Sequence, residues 1–371
     1  MIPGFSLDEA VHAARSATGI PGVVAGLSVD GERSLVADGV LALGGTEAVS
    51  VETPFRIASI TKPFVAALCA EAGVLDDRVE RLLSHTAGLR CESPVPLPEE
   101  CAGLWSYSNA GYWEAGAAAA GACGLPFEQA MTTRVLEPLA LAATGFETPS
   151  GRALGHVQEG ETGQLVVPED AYPVARRPSG GLWSTAADLL RFGEWQLDAG
   201  AAFHEPRARA LGAGYGLGWW SRELAGRTVV DHEGSAAGYQ TLLLLEPEER
   251  LVLTVLTNSW RGSGLVRRVV AALGLVPEVA AADETDAGVG GTYGLDGTEA
   301  LVAANGDGTL SVQSAETDPI TGTRIEVRFP AQPLGPRVFG FAGGVLQSHR
   351  LDFPTDDVAR VGWLALPRIT A

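Results

Sequence analysis

The chain opens with SLDEAVHAARSA, in which apolar positions recur at helical spacing behind a serine and an early acidic pair. This predicts an N-capped amphipathic helix. Next, GVVAGLSVDGERSLVADGVLAL places two apolar, β-rich runs about an Asp-Gly turn, the pattern of a hairpin. From Ile60 to Ala72 the helical pattern continues but its polar face is gone, so this helix is expected to be buried all round, with Ser59 at its first turn. LRCESPVPLPEECAGLW is broken by prolines and has no period; it reads as a surface loop that runs into an alanine-rich helix, SYSNAGYWEAGAAAAGA. STAADLLRFGEWQL is a further capped helix, and YGLGWW, RTVVDHEG, YQTLLLLEP and RLVLTVLTNS read as successive strands of an antiparallel meander.

PEVAAADETDAGVGG then has the small, acidic, glycine-rich character of a linker. Beyond it come short β runs, TLSVQ, RIEVRF and RVFGFAGG, with glycine turns and no long helical pattern. The organisation expected is a body over residues 1–277, a linker over 278–290 and a small all-β domain over 291–371, a size within the normal domain range. The fold class expected is α/β (α+β): an antiparallel sheet packed by helices, with a mostly helical insertion, followed by the β domain. A linker of this kind also predicts that the tail can be removed without unfolding the body.

Composition narrows the function. With 46% apolar and 19% charged residues over 371 positions, the chain is globular and can bury a sizeable core. A net charge of -19 repels nucleic acid and anionic membrane surfaces, which favours small-molecule chemistry. The first residues show no basic region followed by an unbroken apolar one, and nothing later has the length of a membrane span, so a cytoplasmic location is expected. The four cysteines have no CxxC spacing and are expected as free thiols. The six histidines lack ligand spacing, and no metal or cofactor is expected. Oligomeric state is left open.

One residue stands apart: among 26 basic residues Lys62 is the only lysine. Arginine stays protonated under ordinary conditions, whereas a desolvated lysine can lose its proton and act as a base. Ser59 lies three positions earlier, on the same helix face, where a neutral lysine could take its proton. Tyr107-Ser108-Asn109 offers a phenol to move a proton and an amide to hold a substrate carbonyl. On a predicted strand, His232-Glu233-Gly234-Ser235 supplies a glycine for close approach and a strand-edge N–H for an oxyanion. Ser84-His85, adjacent in sequence, cannot form a serine–imidazole pair and reads as structural.

SxxK, then Tyr-x-Asn, then His-x-Gly on a late strand resembles the serine β-lactamase and penicillin-binding-protein superfamily. The closest likeness is to its class C-like branch of β-lactamases, DD-peptidases, D-aminopeptidases, family VIII esterases and transacylases. LLSHTAGL, RVLEPLALAATGF, SGGLWSTAADLLRF, YGLGW and HEGSAAGYQTLLLLEPEERLVLTVLTNS add to the resemblance, which spans about residues 7 to 275. It implies a β-lactamase/transpeptidase-like body, a lipocalin-like β domain, Ser59 as nucleophile, Lys62 as its base and Tyr107 as proton shuttle. It further implies Asn109, His232, Gly234 and Ser235 as substrate-binding residues, with the backbone N–H groups of Ser59 and Ser235 forming the oxyanion hole.

Two departures stand out: a short stretch from Lys62 to Leu82, and Glu233 where a small or hydroxylic residue is usual. The activity implied is hydrolysis of a small ester or amide through an acyl-enzyme. Acyl transfer in a biosynthetic pathway, then β-lactamase or DD-peptidase action, follow as alternatives, and a catalytically silent binding module is the alternative from another class. Asp231 and Glu233 around His232 are expected to disfavour an anionic substrate, even though strand alternation can turn both away while His232 points in. Trp105, Trp219 and Trp220 are candidates for an apolar wall, with core packing expected for at least one of them.

Overall fold

The computed structural model describes residues 4–159, 163–167, 172–276, 289–317, 324–335, 337–340 and 350–369. Most of the expected linker, 278–288, lies outside them. Helix α1 (Leu7–Thr18) starts where the Ser6 hydroxyl accepts from the Glu9 N–H and stops at Gly19, φ 65°; its Leu7, Val11 and Ala14 face inward. Strands β1 (Gly22–Val29) and β2 (Glu32–Gly39) pair about Asp30-Gly31, both with positive φ, the turn that matches strand twist. Helix α2 (Thr61–Glu71) is buried from Thr61 to Cys69, as its lack of a polar face requires. Three more helices matter for the site: α3 (Asp77–Leu83), α4 (Asn109–Cys123) and α5 (Ala186–Ala199), followed late in the body by α6 (Gly262–Ala272).

The body's sheet continues with β3 (Ala208–Ala210), β4 (Ala213–Tyr215), β5 (Trp220–Leu224), β6 (Arg227–Ala236), β7 (Tyr239–Glu246) and β8 (Leu251–Thr257), in the order β2-β1-β8-β7-β6-β5-β4-β3. Every pairing is antiparallel. Side chains alternate between two cores: Val23, Ala25, Leu242, Leu244 and Leu253 pack under α1 and α6, while Val24, Leu243, Leu245 and Val252 pack with α2 and α5. A sheet covered on both faces explains the unbroken LLLL run of β7. YGLGWW differs from the expected strand. Tyr215 ends β4 and Trp220 opens β5, and between them Gly216 N–H donates to the Trp219 carbonyl (2.8 Å) with Gly218 at φ 85°, so the glycines turn the chain.

The C-terminal domain is an eight-stranded antiparallel meander, β9 (Gly291–Leu295), β10 (Thr298–Ala304), β11 (Leu310–Thr317), β12 (Arg324–Gly335), β13 (Val338–Gly340), β14 (Arg350–Thr355), β15 (Val358–Val361) and β16 (Leu364–Pro367). A bridge between Tyr293 and Arg368 and a hydrogen bond from Ile369 N–H to the Thr292 carbonyl (2.7 Å) nearly close it into a barrel around Tyr293, Val312, Phe353 and Leu366. The barrel, expected as a removable tail, packs against the body. Trp363 and Leu364 pack into a body cluster of Trp105, Tyr107, Tyr215 and Trp220, and Val358 and Ala365 close over Cys101. Asp352 accepts from Leu211 N–H (2.7 Å) across the same seam. Among the described residues no helix is long and apolar enough to cross a membrane.

Candidate active site

Ser59 sits in a tight turn, Ala58–Ile60, that runs straight into α2. Ala58 has φ 46°, a strained value for a residue with a Cβ, held by packing on both sides. One side is the strand pair Phe55–Arg56 with Trp183–Ser184, which ties this segment to SGGLW and brings the Ser179 carbonyl over α2. The other is β6, where Gly234 lies so close that a Cβ would fall 2.2 Å from the Ile57 carbonyl oxygen and 2.2 Å from the Thr241 hydroxyl. Gly234 was expected to leave room for substrate; the space is instead filled by the backbone that carries the serine. Its smallness positions Ser59.

Lys62 is fully buried, and its Nζ has three acceptors: Ser59 Oγ at 3.2 Å, Asn109 Oδ1 at 2.7 Å and the Ser179 carbonyl at 2.7 Å. Burial pulls its pKa down to about 7, against the pull of Cys91 and Glu92. The geometry then decides what the neutral amine does. An ammonium has three donors, but a neutral amine has two and a lone pair. The two short bonds keep the donors, which leaves the lone pair aimed at Ser59.

Tyr107 precedes α4, whose N-cap is Ser108 and whose first residue is Asn109. The Lys62 nitrogen lies 4.6 Å from the Tyr107 ring centroid. Burial raises the Tyr107 pKa well above its ordinary value, with Tyr215 adding to the effect. The Ser59 hydroxyl opposes this in part without meeting hydrogen-bond geometry. Tyr107 is therefore a neutral phenol whose buried hydroxyl has no hydrogen-bond partner among the described residues. It is free to serve a substrate atom.

Asn109 Oδ1 accepts from Lys62, and its Nδ2 donates to Glu92 Oε1 and lies 3.8 Å from Cys91 Sγ. His232 has no exposed surface, donates from Nδ1 to the Glu233 carbonyl (2.7 Å) and meets the Tyr215 hydroxyl at Nε2 (3.2 Å). Burial and the Lys62 charge lower its pKa to about 3, so it is neutral and forms part of the wall behind Tyr107 rather than an open ligand. β6 pairs with β5 only as far as Asp231 opposite Trp220, so among the described residues the stretch from His232 to Ala236 has one edge without a strand partner. Ser235 is exposed on that stretch and accepts from Gln240 (2.7 Å).

Asp231 and Glu233 point the other way. Asp231 is fully buried against Arg222 (2.7 Å), and Glu233 is buried on the side of Arg350. Neither carboxylate guards the site as the sequence suggested. Trp105, Trp219 and Trp220 are all core residues. Trp105 packs beside Tyr107 from within the core, and Trp363 of the β domain adds a half-buried ring 5.3 Å away, its carbonyl accepting from the Tyr107 N–H (2.9 Å). His85 is structural, as expected: its Nδ1 accepts from the Ser108 N–H (3.0 Å), fixing the start of α4. All four cysteines are free. Sequence reasoning missed Ser179, Glu92 and Trp363, which carry no local signal. Only the SGGLW resemblance touched one of them.

The family model for beta-lactamase matches residues 7–275. Penicillin-binding protein 4 of Amycolatopsis lactamdurans is 26% identical over 323 residues, covering 67% of this chain and 84% of that protein. Among solved structures, SurE aligns over 98% of both chains with a TM-score of 0.71 at 23% identity, and it has also been crystallised with D-Leu. The D-amino acid amidase of Ochrobactrum anthropi SV3, complexed with L-phenylalanine amide, covers 72% of this chain and 98% of its own with a TM-score of 0.61 at 22% identity. These structural likenesses are likenesses of fold, and the one to SurE includes the C-terminal strands.

Proposed function

The chain belongs to the beta-lactamase family of serine hydrolases, and we propose that it hydrolyses a small ester or amide, of the esterase or D-aminopeptidase type, through an acyl-enzyme on Ser59. The observation that carries this reading is a buried lysine near neutrality, 3.2 Å from a serine hydroxyl and held by two shorter bonds that leave its lone pair for that hydroxyl. Neutral Lys62 takes the Ser59 proton as Oγ attacks the carbonyl carbon. The oxyanion lies at the Ser59 and Ser235 backbone N–H groups, where the unpaired edge of β6 borders the turn. As the tetrahedral species collapses, the Tyr107 hydroxyl passes the proton from Lys62 to the leaving group, and water then releases the acyl group by the reverse sequence.

A D-configured amino acyl group is the substrate class we favour, on the D-amino acid amidase and the D-Leu complex among the fold neighbours. Acyl transfer to an amine is a second reading, favoured by the apolar Trp363 ring 5.3 Å from Tyr107, a surface on which an acceptor other than water can pack. Incubation with a fluorophosphonate, followed by intact mass and peptide mapping, tests the common core of both. One adduct on the Ser59 peptide is expected, and an adduct elsewhere overturns the assignment. Adding an amine acceptor during turnover then separates the two, since transfer yields an amide product and hydrolysis does not.

A further inference from the structure

The bonds that begin at Ser59 do not end at Asn109. Lys62 donates to Asn109 Oδ1, and Asn109 Nδ2 donates onward to Glu92. An asparagine at this place was expected to offer its N–H to a substrate carbonyl. Here Nδ2 gives one N–H to the Glu92 carboxylate and lies 3.8 Å from Cys91 Sγ. The acidic group beside Asn109 is therefore an acceptor carrying negative charge, and a ligand carbonyl brought against it meets charge of its own sign.

Glu92 also has room to bind. Its side chain is 30% exposed, and its second oxygen is 3.4 Å from an equally accessible Arg176 guanidinium, a half-exposed pair of small energetic weight. A carboxylate has about four acceptor positions; Asn109, the Cys91 thiol (3.5 Å) and Arg176 (3.4 Å) occupy three of them, which leaves about one open. Asp231 and Glu233 are turned into the seam with the β domain. Glu92 is thus the acidic side chain hydrogen-bonded to the serine–lysine–asparagine array, in a loop that sequence patterning marked only as irregular.

We propose that the Glu92 carboxylate receives the free α-ammonium group of the acyl substrate, so that the site selects amino esters and amino amides over their N-acylated counterparts. An ammonium supplies three donors to an acceptor-only group and cancels its charge, whereas an N-acyl group presents a carbonyl to it. This inference rests on the acyl-enzyme reading above and refines its substrate class.

The test compares kcat/KM for D-leucine methyl ester and N-acetyl-D-leucine methyl ester, in the wild type and in Glu92→Gln, which keeps the shape of the side chain and removes its charge. The wild type is expected to prefer the free amine. In Glu92→Gln that preference falls by about tenfold or more, through KM of the amino ester, as loss of a charge-assisted hydrogen bond implies. A wild type without preference, or a variant that leaves the ratio unchanged, overturns the proposal. A fall in kcat for both esters alike also overturns it, and makes Glu92 a positioning residue for Asn109 and Lys62. Fluorophosphonate labelling of Ser59 in the same samples separates the two levels: labelling without amine selectivity sinks the Glu92 subsite alone, and absence of labelling sinks the acyl-enzyme reading.

Discussion

At the scale of single residues, the decisive feature is a count of acceptors around one nitrogen. Lys62 has three as an ammonium and can serve only two of them once neutral, and the longest contact is the one to Ser59. Its pKa of about 7 makes the base the major form above neutrality. The rate of fluorophosphonate labelling should therefore rise with pH through about 7 and level off above it; a rate that falls over this range would mean that the lysine acts as a charged donor. Lys62→Arg keeps the charge and removes the base, so labelling should slow by roughly a hundredfold or more. Tyr107→Phe should harm amide substrates, with poor leaving groups, by about a hundredfold, and activated aryl esters much less. A uniform loss across both substrate types would point to packing, because Tyr107 also supports Trp363.

Between elements, closeness of backbone decides where Ser59 stands. β6 can lie against the Ala58–Ile60 turn because position 234 has no side chain. Gly234→Ala should cost about 1–3 kcal/mol through overpacking and slow Ser59 labelling in parallel, since one of the two atoms in the way, the Ile57 carbonyl oxygen, is backbone and cannot rotate aside. Gly121→Ala is the matching control: it lies within α4, a Cβ there meets nothing within 4 Å, and helix propensity predicts a gain of about 0.5–1 kcal/mol. Thermal unfolding of the two variants beside the wild type should show shifts of opposite sign.

For the whole molecule, the seam between body and barrel runs through the site. Trp363 and Leu364 fill a cluster with Trp105, Tyr107, Tyr215 and Trp220, and Ala365 N–H donates to the Ser106 hydroxyl (3.1 Å) one residue before Tyr107. Ending the chain at residue 276 exposes that cluster and frees the Tyr107 N–H. The truncated protein should aggregate or melt well below the full chain, and its Ser59 labelling should be lost. A truncated body with an unchanged melting temperature and unchanged labelling would mean that the seam is surface contact only. Barrel and body remain distinguishable as cores, because Tyr293, Val312 and Phe353 touch none of the body's clusters.

Local patterning was enough for much of this. Ser6, Asp30-Gly31 and the apolar run after Ile60 specify a cap, a hairpin turn and a buried helix within a few residues of themselves, since these features depend on near neighbours along the chain. Lys62, the one lysine, and its three-residue offset from Ser59 were legible for the same reason. The state of the site was not. The pKa of Lys62 is set by burial summed over α2, α4 and the SGGLW segment, and one of its two short bonds reaches Ser179, 117 residues along the chain. YGLGWW passed for a strand because periodicity does not see a turn made by glycine dihedrals. Asp231 and Glu233 passed for site residues because a strand's pattern shows that its sides alternate and leaves open which side faces which partner. Sequence determined which groups the chemistry has at its disposal; only tertiary packing decided which of them meet, which lose water, and that Asn109 already holds Glu92.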